Sequence, residues 1–211
     1  MELQTSLKTF HFGDYRFNAF VPDSLALQQA FTKQLQTDPS TPAPYWARVW
    51  PSAYAICEFI ATQPHWLQNK TVLELAAGLG LPSFLSAQLA TKVTCSDYVP
   101  EAVQLMQQSI QENKLENINA MLIDWNHLPA DLSVDVLLLS DINYEPQAFE
   151  TLFNVIISFL EKGTTIILST PQRLMAKPFI DRLLPYSKMY EEKTIIALTP
   201  AVACSVYVLQ Q

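Results

Sequence analysis

The stretch Val72-Leu73-Glu74-Leu75-Ala76-Ala77-Gly78-Leu79-Gly80-Leu81-Pro82-Ser83 decides the fold. An apolar run enters a glycine loop, and the loop opens a helix whose first turn suits Pro82. The chain has only four glycines, and two of them, Gly78 and Gly80, stand here. Glycines at such a place let the backbone approach a ligand closely and present amides at a helix start.

Outward from this loop, short apolar runs alternate with amphipathic segments, which predicts βαβ units and a parallel sheet. The predicted strands are residues 71–75, 92–96, 119–123, 134–140 and 164–169. Phe149, Leu152, Phe153, Ile156, Ile157 and Leu160 recur at helical spacing before Lys162-Gly163 closes that helix. After a helix expected near 173–185, residues 188–198 and 203–209 read as two strands with no helix between them. They should pair as a hairpin, giving an α/β, doubly wound, mostly parallel seven-stranded sheet with one antiparallel strand. Upstream, the runs 7–12 and 15–21 flank Gly13-Asp14 as a β-hairpin, followed by a helix from an Asp23 cap to about Thr37. The expected organisation is one domain: a hairpin and helix extension over 1–50 and a core over 51–211.

The 211 residues, 49% of them hydrophobic, suffice for a core without metal or disulfide staples. Three scattered cysteines, Cys57, Cys95 and Cys204, lack C-x-x-C spacing and suit reduced thiols in a cytoplasm. No run approaches a membrane span, and none resembles a leader. A net charge of -7 opposes wrapping of a nucleic-acid backbone and suits a basic partner. His11, His65 and His127 show no ligand spacing, so no metal is expected.

The strand ends carry the chemistry. Glu74 precedes the glycine loop, and Ser83 stands where a G-x-G-x-x-G dinucleotide fingerprint would have its last glycine, which weakens a dehydrogenase reading. Asp97, nineteen residues after Gly78, ends the second strand where a carboxylate can accept from ribose hydroxyls, with Tyr98 beside it. Asp124 and Trp125 follow the third strand, a carboxylate for an adenine amino group and an indole face for its ring. Ser140, Asp141, Asn143 and Tyr144 follow the fourth, on the edge where open α/β sheets bind ligands.

Together, the acidic glycine loop, Asp97, Asp124-Trp125 and Asp141-x-x-Tyr144 resemble the seven-strand S-adenosylmethionine-dependent methyltransferases, with their Rossmann-like fold, and particularly the protein-lysine methyltransferase branch. Residues 49–60, VWPSAYAICEFI, are similar to the tryptophan segment that precedes the first strand in that branch. The resemblance covers roughly 45–209 and departs at Ala76, where the family usually has glycine. It implies S-adenosylmethionine as cofactor and a cofactor site of Trp50, Glu74, Gly78, Gly80, Asp97, Tyr98, Asp124, Trp125 and Ser140. Asp141 and Tyr144 would face the substrate as the catalytic pair, with Trp46, Trp50 and Tyr144 forming an aromatic mouth. The implied acceptor is a protein lysine. A small-molecule acceptor, or a cofactor-binding module without catalysis, stays open as an alternative, while nucleic acid and membrane are not expected as partners.

Overall fold

Side-chain alternation along the central strands sorts the core into two layers. The computed structural model describes residues 4–197 and 199–211. The chain runs β1 (Thr5–Phe12), β2 (Tyr15–Pro22), α1 (Ser24–Thr37), α2 (Pro51–Thr62), β3 (Thr71–Leu75), α3 (Leu81–Ser86), β4 (Lys92–Asp97), α4 (Pro100–Glu112), β5 (Ile118–Leu122) and β6 (Val136–Ser140). It continues through α5 (Phe149–Glu161), β7 (Thr165–Pro171), α6 (Lys177–Leu183), β8 (Ser187–Ile195) and β9 (Val202–Leu209). Val72, Val136, Leu138 and Ile167 pack toward α2, α3 and α4, whereas Leu73, Leu137, Leu139 and Ile166 pack toward α5 and α6. A sheet covered on both faces requires strands that are apolar throughout, which the VLLL run of β6 satisfies.

The seven-stranded sheet has the order β5-β4-β3-β6-β7-β9-β8. Its first five strands pair in parallel, and β9 lies antiparallel to both β7 and β8. β9 is the expected antiparallel strand. From β3 the chain winds outward to β4 and β5, then returns to place β6 on the other side of β3. The order therefore switches between β3 and β6, where a crevice opens at the carboxyl ends.

Most boundaries fall within about two residues of the sequence expectation, and two lie further off. The helix expected over 173–185 is α-helical only from Lys177 to Leu183, between short 3-10 turns at 174–176 and 184–186. Pro178 suits its first turn, and Pro185 lacks the N–H that would continue it. Arg173 is thereby left outside the helix. The strand expected to reach Leu198 ends at Ile195, Ile196 is exposed, and Leu198 lies outside the described residues.

The amino-terminal hairpin forms its own two-stranded sheet, and its face is part of the main core. Phe10, Phe12 and Phe17 are buried, and Phe17 meets Phe84 of α3 edge-on at 5.9 Å. Asn113, just past α4, accepts from the Asn18 amide at 2.7 Å and donates to the Asn18 carbonyl at 2.6 Å. Asn113→Ala removes both bonds. It should cost about 1–3 kcal/mol and, for a chain of this size, lower Tm by about 2–4 °C per kcal/mol in one cooperative transition. A separate early transition in calorimetry would mean that the hairpin folds apart from the core.

Glu74 sits on the same face as Val72, fully buried beneath the glycine loop. One carboxylate oxygen accepts from the Ser83 amide at 3.0 Å and the Ser83 hydroxyl at 2.6 Å, and the other takes a long contact from the Ser140 hydroxyl at 3.5 Å. Burial outweighs these bonds and pushes its pKa up to about 8. In the unfolded chain the same group titrates near ~4.3. Between those values the folded state binds the extra proton, so Glu74 erodes stability as pH rises from about 4.5 to 8 and adds no slope below or above. Glu74→Gln should flatten that slope, gaining on the native chain by on the order of 3 kcal/mol between pH 5 and pH 8 in urea titrations. Parallel pH dependences for the two proteins would place the titration on another group.

Candidate functional site

Four strand ends converge on the crevice between β3 and β6. Its wall includes Ala76 after β3, Asp97 and Tyr98 from β4, Trp125 beyond β5, and Ser140, Asp141 and Tyr144 from β6. The outer wall is the strap between α1 and α2, through Ala43, Tyr45, Trp46 and Trp50. Of the sequence candidates, Trp50, Asp97, Tyr98, Trp125, Ser140, Asp141 and Tyr144 thus come together, with Trp46 beside them.

Glu74, Gly78, Gly80 and Asp124 stand behind this wall. Glu74 holds the loop from below, as described. Gly78 has φ +56°, and a Cβ on it would stand 2.9 Å from the Trp46 carbonyl oxygen, so only glycine lets the strap lie on the loop. Gly80, with φ +74°, is the N-cap residue of α3. Asp124 accepts from the Asn126 amide at 2.9 Å and contacts His127 Nδ1 at 3.0 Å, capping the turn that presents Trp125.

Asp97 is buried, with one oxygen accepting from the Gly78 amide at 2.9 Å and the other from the Val99 amide at 3.0 Å. It ties the glycine loop to the start of α4. Burial nonetheless raises its pKa, because desolvation exceeds the gain from those amides.

Both residues flanking the switch hold left-handed backbone, Ala76 at φ +51° and Asp141 at φ +57°. For a residue with a Cβ this costs about 1–2 kcal/mol, and strain of this kind gathers at functional sites. At Ala76 a glycine would hold the same conformation without that cost. The Asp141 amide donates to the Ser169 carbonyl at 2.9 Å.

The Asp141 carboxylate is clamped by Arg173, whose two terminal nitrogens each donate to one carboxylate oxygen, Nη2 to Oδ2 at 2.9 Å. Sequence reading missed this arginine. It follows β7, the strand beside β6, and 32 residues separate it from Asp141 in sequence.

The mouth is aromatic. The Tyr45 and Tyr144 rings lie 5.2 Å apart, Tyr45 and Trp50 lie 6.1 Å apart, and the Trp50 indole donates to the Tyr45 carbonyl at 2.8 Å. Arg48 covers Trp50 at 5.1 Å. Burial, with Glu145, Tyr98, Asp97 and Tyr45 nearby, pushes the Tyr144 hydroxyl up to about 12, which keeps it a neutral phenol. Among the described residues no group of His, Cys, Asp and Glu could hold a metal ion.

This donor set fits S-adenosylmethionine. Asp97 offers a carboxylate to hydroxyls, Trp125 a face to a purine, and the strap aromatics electron-rich faces to a sulfonium cation. The crevice has a volume of about 60 Å³ and is bounded on its outer side by the strap.

Comparison with known proteins agrees. The family model described as lysine methyltransferase matches residues 32–184. The rat histone-arginine methyltransferase METTL23 is 32% identical over 128 residues, 58% of this chain and 57% of that protein. The protein N-lysine methyltransferase METTL21A of Xenopus tropicalis is 28% identical over 173 residues, covering 80% of this chain and 75% of its own. This chain therefore spans little more than half the length of the rat relative. A 16S rRNA methyltransferase of T. thermophilus, solved with AdoMet and guanosine, superposes over the whole chain and 52% of its own with a TM-score of 0.67 at 12% identity, a likeness of fold. Matched over most of its length, the chain belongs to the lysine methyltransferase family.

Proposed function

We propose that the chain methylates a lysine side chain of a protein, at the mouth formed by Tyr45, Trp50 and Tyr144. The observation that carries this reading is that mouth: an aromatic-walled opening with a neutral phenol and a carboxylate already paired to an arginine. The amine lone pair forms the new N–C bond as the sulfonium C–S bond breaks, with its electron pair passing to sulfur, and the product ammonium then loses a proton to solvent. Most of the catalysis in such a step is alignment of the reacting atoms and exclusion of water.

A lysine arrives charged, and making it neutral at pH 7 costs roughly 4–5 kcal/mol from a reference pKa near 10.4. Desolvation between aromatic rings lowers that cost by disfavouring the ammonium. Tyr144, protonated throughout the working range, can accept a hydrogen bond from the amine and aim its lone pair, but it cannot serve as a base. Nothing in this arrangement requires a general base, since the amine can lose its proton to water before it is enclosed.

A second reading has support in the name of the rat relative, which would make the acceptor an arginine. Recognition of a substrate guanidinium calls for a free carboxylate fork. Asp141, the carboxylate at the mouth, is already filled by Arg173 of the same chain, which favours lysine. The net charge of -7 suits a basic protein partner and opposes nucleic acid. Three free, buried cysteines suit a reducing compartment, and we place the enzyme in the cytoplasm.

Incubation of the chain with labelled cofactor and a host lysate, followed by hydrolysis of the labelled proteins, should yield methyl-lysine. Methyl-arginine would replace this reading with the second, and label confined to small molecules would remove both. Tyr144→Phe should lower kcat on the protein acceptor at least tenfold, with affinity for the demethylated cofactor held within about threefold, a difference under roughly 0.7 kcal/mol. Equal losses would place Tyr144 against the cofactor instead.

Asp97→Ala should weaken cofactor binding by about 1.5–3 kcal/mol in calorimetry, because charge-assisted hydrogen bonds to hydroxyls are lost along with the anchor of Gly78. NAD should show no comparable binding to the native chain. Undiminished affinity in a folded variant would take Asp97 out of the site.

A further inference from the structure

Asp141 presents a charge problem. Its side chain is 4% exposed, it lines the crevice, and its left-handed backbone fixes where it points. A bare carboxylate there would take whatever cation was nearest, and in a lysine methyltransferase that cation is the substrate. An ammonium held by a carboxylate keeps its proton and has no lone pair to give. The same contact that tightened binding would stall the transfer.

The cation in contact with it is an arginine of the same chain. The Arg173 guanidinium meets Asp141 in a two-pronged fork and is itself 28% exposed. Its backbone amide donates to the Pro171 carbonyl at 2.8 Å, which fixes it at the end of β7. The nearby cations are engaged elsewhere: Arg48 covers Trp50, and Lys193, cross-strand from Cys204, pairs with Glu191. Cys204 on β9 is a thiol pushed up to about 11, and Glu58 of α2 lies beyond it. Around Tyr144 stand Asp97, Tyr98, Tyr45 and Glu145. Arg173 is the cation that can cancel Asp141 before substrate arrives.

We propose that Arg173 is a positioning residue that neutralises Asp141, so that the acceptor lysine enters the mouth free of a carboxylate and reacts as the neutral amine. The proposal rests on the lysine reading above. Arg173 touches neither cofactor nor substrate in this scheme; it acts through Asp141. The exposed Leu174 and Met175 that follow it place the pair at the edge of the loop over which a protein substrate would lie.

Arg173→Met keeps most of the length of the side chain and removes the charge. With a lysine peptide as acceptor, its KM should fall or hold while kcat at pH 7.5 drops at least tenfold. The pH at which kcat reaches half its maximum should rise by about one unit. Arg173→Lys, with the charge but not the fork, should lie between the two. The double variant Asp141→Asn with Arg173→Met removes both charges and should return the pH profile to that of the native enzyme, even where the single variant folds poorly. A purely structural Arg173 would lower Tm and kcat without moving the profile. A profile unmoved within 0.2 unit in Arg173→Met, or still displaced in the double variant, overturns this inference alone. A native enzyme that yields no methyl-lysine overturns the acceptor reading and this inference with it.

Discussion

The buried carboxylate of Glu74 is the constraint on which the rest of the site depends. A charged or protonated acid at zero exposure has to find its partners inside the protein, and Glu74 finds them in Ser83 at the start of α3 and Ser140 at the end of β6. The glycine loop runs over it and is held from the far side by Asp97, through the Gly78 amide. Two carboxylates therefore bracket a loop of five residues. Neither owes its place to hydrophobic burial, and both make their bonds to groups a ligand-binding loop has to keep still.

That bracket also explains why strain can persist at the switch point. Ala76 and Asp141 sit in left-handed backbone at the ends of neighbouring strands, and each would relax if the strand ends were free. The Ser96 carbonyl accepts from the Ala77 amide at 2.8 Å and the Ser169 carbonyl accepts from the Asp141 amide at 2.9 Å, so each chain reversal is pinned to the next strand along the sheet. The turned backbones open the crevice, and the neighbouring strands carry the cost.

The strands and their order of function were legible because burial on both faces forces continuous apolar runs, and β3 in particular was read to the residue. Side-chain direction was not legible in the same way. Spacing did not reveal that Glu74 bonds to Ser83 below the loop or that Asp124 caps the turn before Trp125. Local spacing marks a residue as near a strand end without telling which side of the chain it faces. The hairpin read as an addition because it precedes the α/β pattern, although its alternating aromatics complete the layer over α3. Arg173 was missed for a related reason. An isolated arginine in a loop carries no periodic signal, and its partner lies 32 residues earlier on an adjacent strand.

The distribution of charge ties surface to site. An acidic chain attracts basic partners over distances of about a Debye length, roughly 8 Å at physiological salt, and the attraction needs no contact. The same negative potential would work against the proposed lysine reaction at short range, since it stabilises an ammonium that has to lose a proton. Under the proposed lysine chemistry, a chain with a net charge of -7 thus gains in encounter what it would lose in the transfer, unless the mouth is insulated from the surface. The insulation here is local: aromatic rings on the strap side, a phenol that stays protonated, and a carboxylate whose charge is spent on an arginine. Surface and mouth can then be set independently, because a paired charge and a neutral ring contribute little to the field that a substrate feels from afar.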